Sequence, residues 1–133
     1  MDKRTTRQVG QWAESLALEY LQGQGYEVLL QNYGCPEGEI DLIAREGGVL
    51  SFVEVRARES EEFGHPLETI DRRKQGRIIL AARHFLHEAG GLEGPMRFDA
   101  LGIVLGPPHH FTLVKEAFEV GAHSPAAPAL YTL

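Results

Sequence analysis

A chain of 133 residues, 43% hydrophobic and 24% charged, has the size and composition of one globular domain with its own core. No run approaches the roughly eighteen apolar residues needed to span a bilayer, and MDKRTTRQVGQW has no apolar signal core, so a cytoplasmic protein away from membranes is expected. The net charge of −6 argues mildly against a nucleic-acid partner, and the single cysteine excludes an internal disulfide or a thiolate zinc cluster.

In chain order, Thr5 or Thr6 is placed to cap a first helix running to about Gln22, stopped by Gly23 and Gly25. At helical spacing Val9, Trp12, Ala13, Leu16 and Tyr20 form one stripe, with the glutamines and Glu19 opposite. Glu14 falls outside the polar arc, among Gly10, Ala17, Leu18 and Leu21. Either it snorkels to water at the stripe's edge or it has a task there. Tyr26–Tyr33 (YEVLLQNY) reads as a strand, followed by a loop over Gly34–Gly38.

Gly38–Arg58 (GEIDLIAREGGVLSFVEVRAR) reads as two strands, about Glu39–Arg45 and Val49–Ala57, joined at Gly47–Gly48. With that turn, cross-strand partners have numbers summing to 95, which sets Asp41 opposite Glu54 and Glu39 opposite Arg56. One face then carries Asp41, Ile43, Leu50, Phe52, Glu54 and Arg56, the other Ile40, Leu42, Ala44, Val49, Val53 and Val55. Both faces are largely apolar, so the hairpin belongs inside a sheet covered on two sides. Two carboxylates with Cβ atoms about 5 Å apart repel each other, and burying them costs several kcal/mol unless they are paired or ligated. A divalent cation between Asp41 and Glu54 is the leading solution. The competing solution is a structural network of cross-strand pairs, Arg56 with Glu39 and Arg58 with Glu37, although this leaves Asp41 opposite Glu54 unexplained.

Glu59–His65 is an acidic loop, and Pro66 suits the first turn of a second helix reaching about Glu88. Its apolar stripe is Leu67, Ile70, Ile78, Ala81 and Phe85, with Lys74 projecting into the middle. Arg72, Arg73, Arg77 and Arg83 form a cationic outer face, five positive residues with Lys74 and no acid between 72 and 83. Arg97–Leu105 and about Phe111–Glu116 read as two further strands around GPPHH. Residues 1–120 are expected to form a single domain, and 121–133, rich in Ala and Pro, to be extended or disordered. The order α-β-β-β-α-β-β predicts an α/β fold, a mixed central sheet flanked by helices, with the second helix as crossover.

Glu14, Asp41, Glu54, Arg56 and Lys74 therefore converge. Oxygen ligands of this kind suit Mg²⁺ or Mn²⁺, and a cation beside them suits stabilisation of a phosphodiester under attack. His84 and His87, three apart on the polar arc, have no acid partner and are a weak metal signal.

The motifs G..AE..A..YL over Gly10–Leu21, GEIDLIA over Gly38–Ala44, FVEVRAR over Phe52–Arg58, Lys74 and RFD over Arg97–Asp99 resemble the bacterial YraN family, UPF0102. That family is similar to restriction-endonuclease-like nucleases of the PD-(D/E)xK class, especially archaeal Holliday-junction resolvases. The resemblance implies a restriction-endonuclease-like core and a metal held by Asp41 and Glu54, with Glu14 as an additional ligand. It departs at Arg56, where the class has lysine. Arginine stays charged and cannot act as a base, so either Lys74 supplies the ammonium or the fold mainly binds.

The reading that results is a metal-dependent nuclease acting on DNA of branched or structured form. Asp41, Glu54, Arg56 and Lys74 are its catalytic group, and Arg58, Arg72, Arg73 and Arg77 its phosphate contacts. Asp99 is expected to be structural. A homodimer would match a near-symmetric junction. The alternatives are a catalytically weak or inactive nucleic-acid-binding module with the same fold, and a protein-interaction domain.

Overall fold

The computed structural model describes residues 6–120; 121–133, where an extended tail is expected, lies outside the described residues. The elements are α1 (Thr6–Gly23), β1 (Glu27–Cys35), β2 (Gly38–Glu46), β3 (Val49–Arg58), a 3-10 turn (Pro66–Thr69), α2 (Arg72–Glu88), β4 (Met96–Val104) and β5 (His110–Phe118). The strands form one sheet in the order β1-β2-β3-β4-β5. Only β3 and β4 run parallel. A parallel neighbour cannot be reached by a tight turn, and α2 makes the crossover. The result is a mixed sheet with one helix on each face, an α/β arrangement that agrees with the core the resemblance implies.

Each face has its own core. On one, Ile78, Ala81 and Leu86 of α2 meet Ile43, Phe52, Phe98 and Phe118, whose rings stack at 5.5 Å (Phe52–Phe98) and 5.0 Å (Phe98–Phe118). On the other, Ala17 and Leu21 of α1 meet Leu42, Val53, Leu101 and Ile103. The central strands are thus apolar on both sides because both sides are covered.

Two helix readings need correction. The buried line of α1 is Ala13, Ala17 and Leu21, while Val9, Trp12, Leu16 and Tyr20 pack only partly. The helix is rolled toward Glu14 relative to the predicted stripe, since small alanines allow the closest approach to the sheet. The second helix does not begin at Pro66. His65 Nδ1 accepts the Leu67 N–H at 3.1 Å and caps the 3-10 turn; Asp71 Oδ1 accepts the Lys74 N–H at 2.8 Å and starts α2 afresh. Between them Ile70 is non-helical, with φ −89° and ψ 79°. The turn can lie on β4 because Gly102 has no side chain: a Cβ there would come within 2.9 Å of both His65 Cε1 and Leu67 Cγ.

Candidate metal and phosphate site

The hairpin has the predicted register, from Leu42↔Val53 to Glu46↔Val49, with φ +60° at Gly47 in the turn. Its rungs stop at Leu42↔Val53. Beyond them the Val55 N–H donates to Asp41 Oδ2 at 2.8 Å, so a side chain takes up the strand's hydrogen bonding. Released from β3 but still paired with β1 at Ile40, β2 slips by one residue in its alternation. Ile40 packs in the α2-side core and Leu42 in the α1-side core. Asp41 opens on an α1-side cavity of about 250 Å³ with Val9, Gly10, Ala13, Glu14, Val55 and Ala57. The predicted faces were therefore wrong for Ile40 and Asp41: perfect alternation assumes an unbroken ladder.

The slip places Asp41 in the gap between two faces. Glu54, on β3, is only 2% exposed. Arg56 Nη2 lies 2.8 Å from Glu54 Oε2, and Lys74 Nζ lies 3.7 Å from the same oxygen. Burial first, then the charge and hydrogen bond of Asp41, push the Glu54 carboxyl up to about 8, against the pull of Arg56 and Lys74. Two carboxyls in hydrogen-bonding contact need a shared proton or a cation between them. Arg56 leaves its Nε–H buried without an acceptor.

Asp41, Glu54, Arg56 and Lys74 are thus brought together. Glu14 borders the Asp41 cavity but is itself exposed, and among the described residues no three carboxylate, imidazole or thiol side chains converge to metal-binding spacing. The alternative cross-strand pairs are not formed: Arg56 turns to Glu54 on its own strand, and Arg58 Nη1 donates to the Phe63 carbonyl at 3.0 Å. Arg72 is exposed at the start of α2. Arg73, Arg77 and Arg83 line a groove on that helix, and Arg77 also borders a cavity shared with Lys74, Gly38 and Glu39. His84 is occupied by Tyr33, 2.6 Å from its Nδ1, and by Glu88 at 3.0 Å.

Asp99 is structural, as expected, but its network was not foreseen. Fully buried, it accepts from Ser51 Oγ (2.6 Å), Tyr26 Oη (2.7 Å), Arg97 Nε (2.7 Å) and the Glu116 N–H (3.0 Å). Burial opposes its ionisation, yet hydrogen bonds from Arg97, Ser51 and Tyr26 hold the carboxyl below the ordinary range. Arg97 in turn binds Glu46 Oε1 at 2.7 Å, and Glu46 binds Lys115 at 2.6 Å. The Arg97-Phe98-Asp99 run and a serine inside an apolar strand were the sequence signals of this network.

Residues 13–103, which hold the whole hairpin, all of α2 and the greater part of α1, match the model of "Uncharacterised protein family UPF0102". The chain belongs to the UPF0102 family. It is 43% identical over 117 residues to a UPF0102 protein of Legionella pneumophila, covering 87% of this chain and 98% of that one. It is 36% identical over 121 residues to one from Clostridium perfringens (89% and 99%) and 44% identical over 104 residues to one from Nitrosococcus oceani (77% and 84%). In this UPF0102 chain the site lies along the second half of β3, past the last β2–β3 rung, bracketed by the N-terminal halves of both helices. No helix among the described residues is long and apolar enough to cross a membrane.

Proposed function

We propose that this protein is a metal-dependent phosphodiesterase acting on DNA, with Asp41 and Glu54 at its centre. The observation that carries the reading is the contact between these two carboxyls, one of them buried and pushed up by burial and by the other, with Arg56 and Lys74 beside them. The donor set fits Mg²⁺ or Mn²⁺, which commonly use one or two carboxylates and complete their shell with water. Asp41 and Glu54 would hold the ion, and Glu14, across the 250 Å³ cavity, would orient its water. When bound, the ion supplies charge neutralisation at a phosphodiester oxygen and acidifies water.

The chain's own groups do the rest. Glu54 would have to lose its proton to serve as a ligand, and its carboxylate charge would then be shared between the ion and the flanking Arg56 and Lys74. Arg56 is permanently cationic, so it would orient a non-bridging phosphate oxygen with the exposed part of its guanidinium and move no proton. Lys74, a third exposed on the first turn of α2, would orient the attacking water or stabilise charge at the scissile phosphate. Arg72, exposed at the start of α2, is placed to contact a flanking phosphate without reading sequence. Arg58 is engaged in holding its loop.

Calorimetric titration of Mn²⁺ into wild type and Asp41→Ala, with a cleavage panel of branched, single-stranded and duplex DNA, tests this. The expected result is one Mn²⁺ site abolished by Asp41→Ala and cleavage abolished by Glu54→Ala. A wild type that takes up no Mn²⁺ sinks the metal site. The second reading, a module that binds nucleic acid without cutting it, is favoured by one observation, the arginine at position 56. It predicts Mn²⁺ and DNA binding with no cleavage on any substrate.

A further inference from the structure

The loop after β3 displays Phe63 at 82% exposure, far beyond the 44% of the next large apolar side chain, Leu80. The display is built. Arg58 Nη1 holds the Phe63 carbonyl at 3.0 Å, and the Gly64 N–H closes a turn onto Glu61 O at 2.9 Å with φ +107° at Gly64, a conformation suited to glycine. Glu59, Glu61 and Glu62 precede Phe63 in the same loop, all exposed, with His65 Nε2 4.0 Å from Glu61 Oε1. A strand of nucleic acid would meet repulsion here, and a basic apolar surface would meet attraction.

That surface is on the same chain. A groove of about 330 Å³ along α2 has a floor of Ile79, Leu80 and Val120 and a rim of Arg73, Arg77 and Arg83. It admits a phenyl ring, and its three arginines are opposite in sign to the glutamates of the loop. A phosphodiester backbone would satisfy the rim alone and leave the floor wet. Among the ion pairs of the described residues none involves Arg73, Arg77 or Arg83.

We infer that two copies of this chain associate by seating Phe63 and its acidic loop in the arginine-rimmed groove of α2 on the other copy. Knob and groove are different patches, so the contact closes when it is made twice about a two-fold axis. It uses neither Asp41 nor Glu54, so it stands or falls apart from the metal site.

Sedimentation velocity over a concentration series, in EDTA and without nucleic acid, is the test. Wild type is expected to dimerise, more weakly at 1 M than at 0.1 M salt because the rim pairs are screened. Phe63→Ala, at an exposed position that leaves the fold intact, is expected to weaken the dimer at least about tenfold, as loss of a central aromatic anchor does. Arg83→Glu weakens it as well, and Glu62→Arg in the same chain restores it. In a Cys35→Ser background, mixed Phe63→Cys and Leu80→Cys chains form an intermolecular disulfide on mild oxidation. A monomer at every concentration, or a dimer indifferent to Phe63→Ala, overturns the inference. So does loss of DNA affinity on Arg83→Glu in a protein that stays monomeric, which would make the groove a phosphate track.

Discussion

Glu54→Gln tests the site without any metal or substrate. A carboxyl raised from an ordinary 4.5 to about 8 stays protonated in the folded chain while the unfolded chain ionises. Stability therefore falls as pH rises through that window. At about 1.4 kcal/mol per pH unit, pH 7 lies some 2.5 units into it, and Glu54 withholds about 3 kcal/mol there. The opposing pull of Arg56 and Lys74 is already contained in the shift. Glutamine has the shape of the protonated acid and no charge to desolvate. The variant should match wild type within about 1 kcal/mol at pH 5 and exceed it by about 3 kcal/mol at pH 7, where Mn²⁺ should stabilise wild type only. Urea denaturation in EDTA at half-unit pH steps measures the difference. A variant less stable than wild type at pH 7, or a difference that does not change with pH, would mean that the ion pairs outweigh burial and Asp41, and would refute the reasoning.

Asp99→Asn should destabilise by about 3–5 kcal/mol in the same assay, because it strips the countercharge from Arg97 inside a buried network. Since the Asp99 carboxyl is held low, its contribution is present above the unfolded value of about 4 and is lost as pH falls below it, the opposite sign to Glu54. Asp71→Ala removes the cap of α2 and should cost about 1 kcal/mol, seen as a lower urea midpoint with unchanged slope. Gly102→Ala forces a methyl against His65 and Leu67, for an expected loss of about 1–3 kcal/mol. A neutral outcome would mean that the 3-10 turn moves away from β4 at little cost.

How much was legible without coordinates depended on how local each determinant is. The hairpin register follows from two glycines and the side-chain period of two. The covering of both faces follows from strands apolar on both sides. The two helices follow from their periodicity, and the proximity of Asp41, Glu54, Arg56 and Lys74 follows from combining them. The slip at Asp41 was not legible, because it arises where the β2–β3 rungs end and a carboxylate replaces a backbone partner. Nor were the Asp99 network, which joins β3, β4 and β5 with Tyr26 just ahead of β1, or the second start at Asp71, which competes with a favourable proline five residues earlier. The sequence by itself determined which residues could carry charge into the sheet. Only the tertiary structure decided which share an oxygen, which stay in water, and which cation is left with an unused donor, since those depend on desolvation and on contacts between elements far apart in the chain.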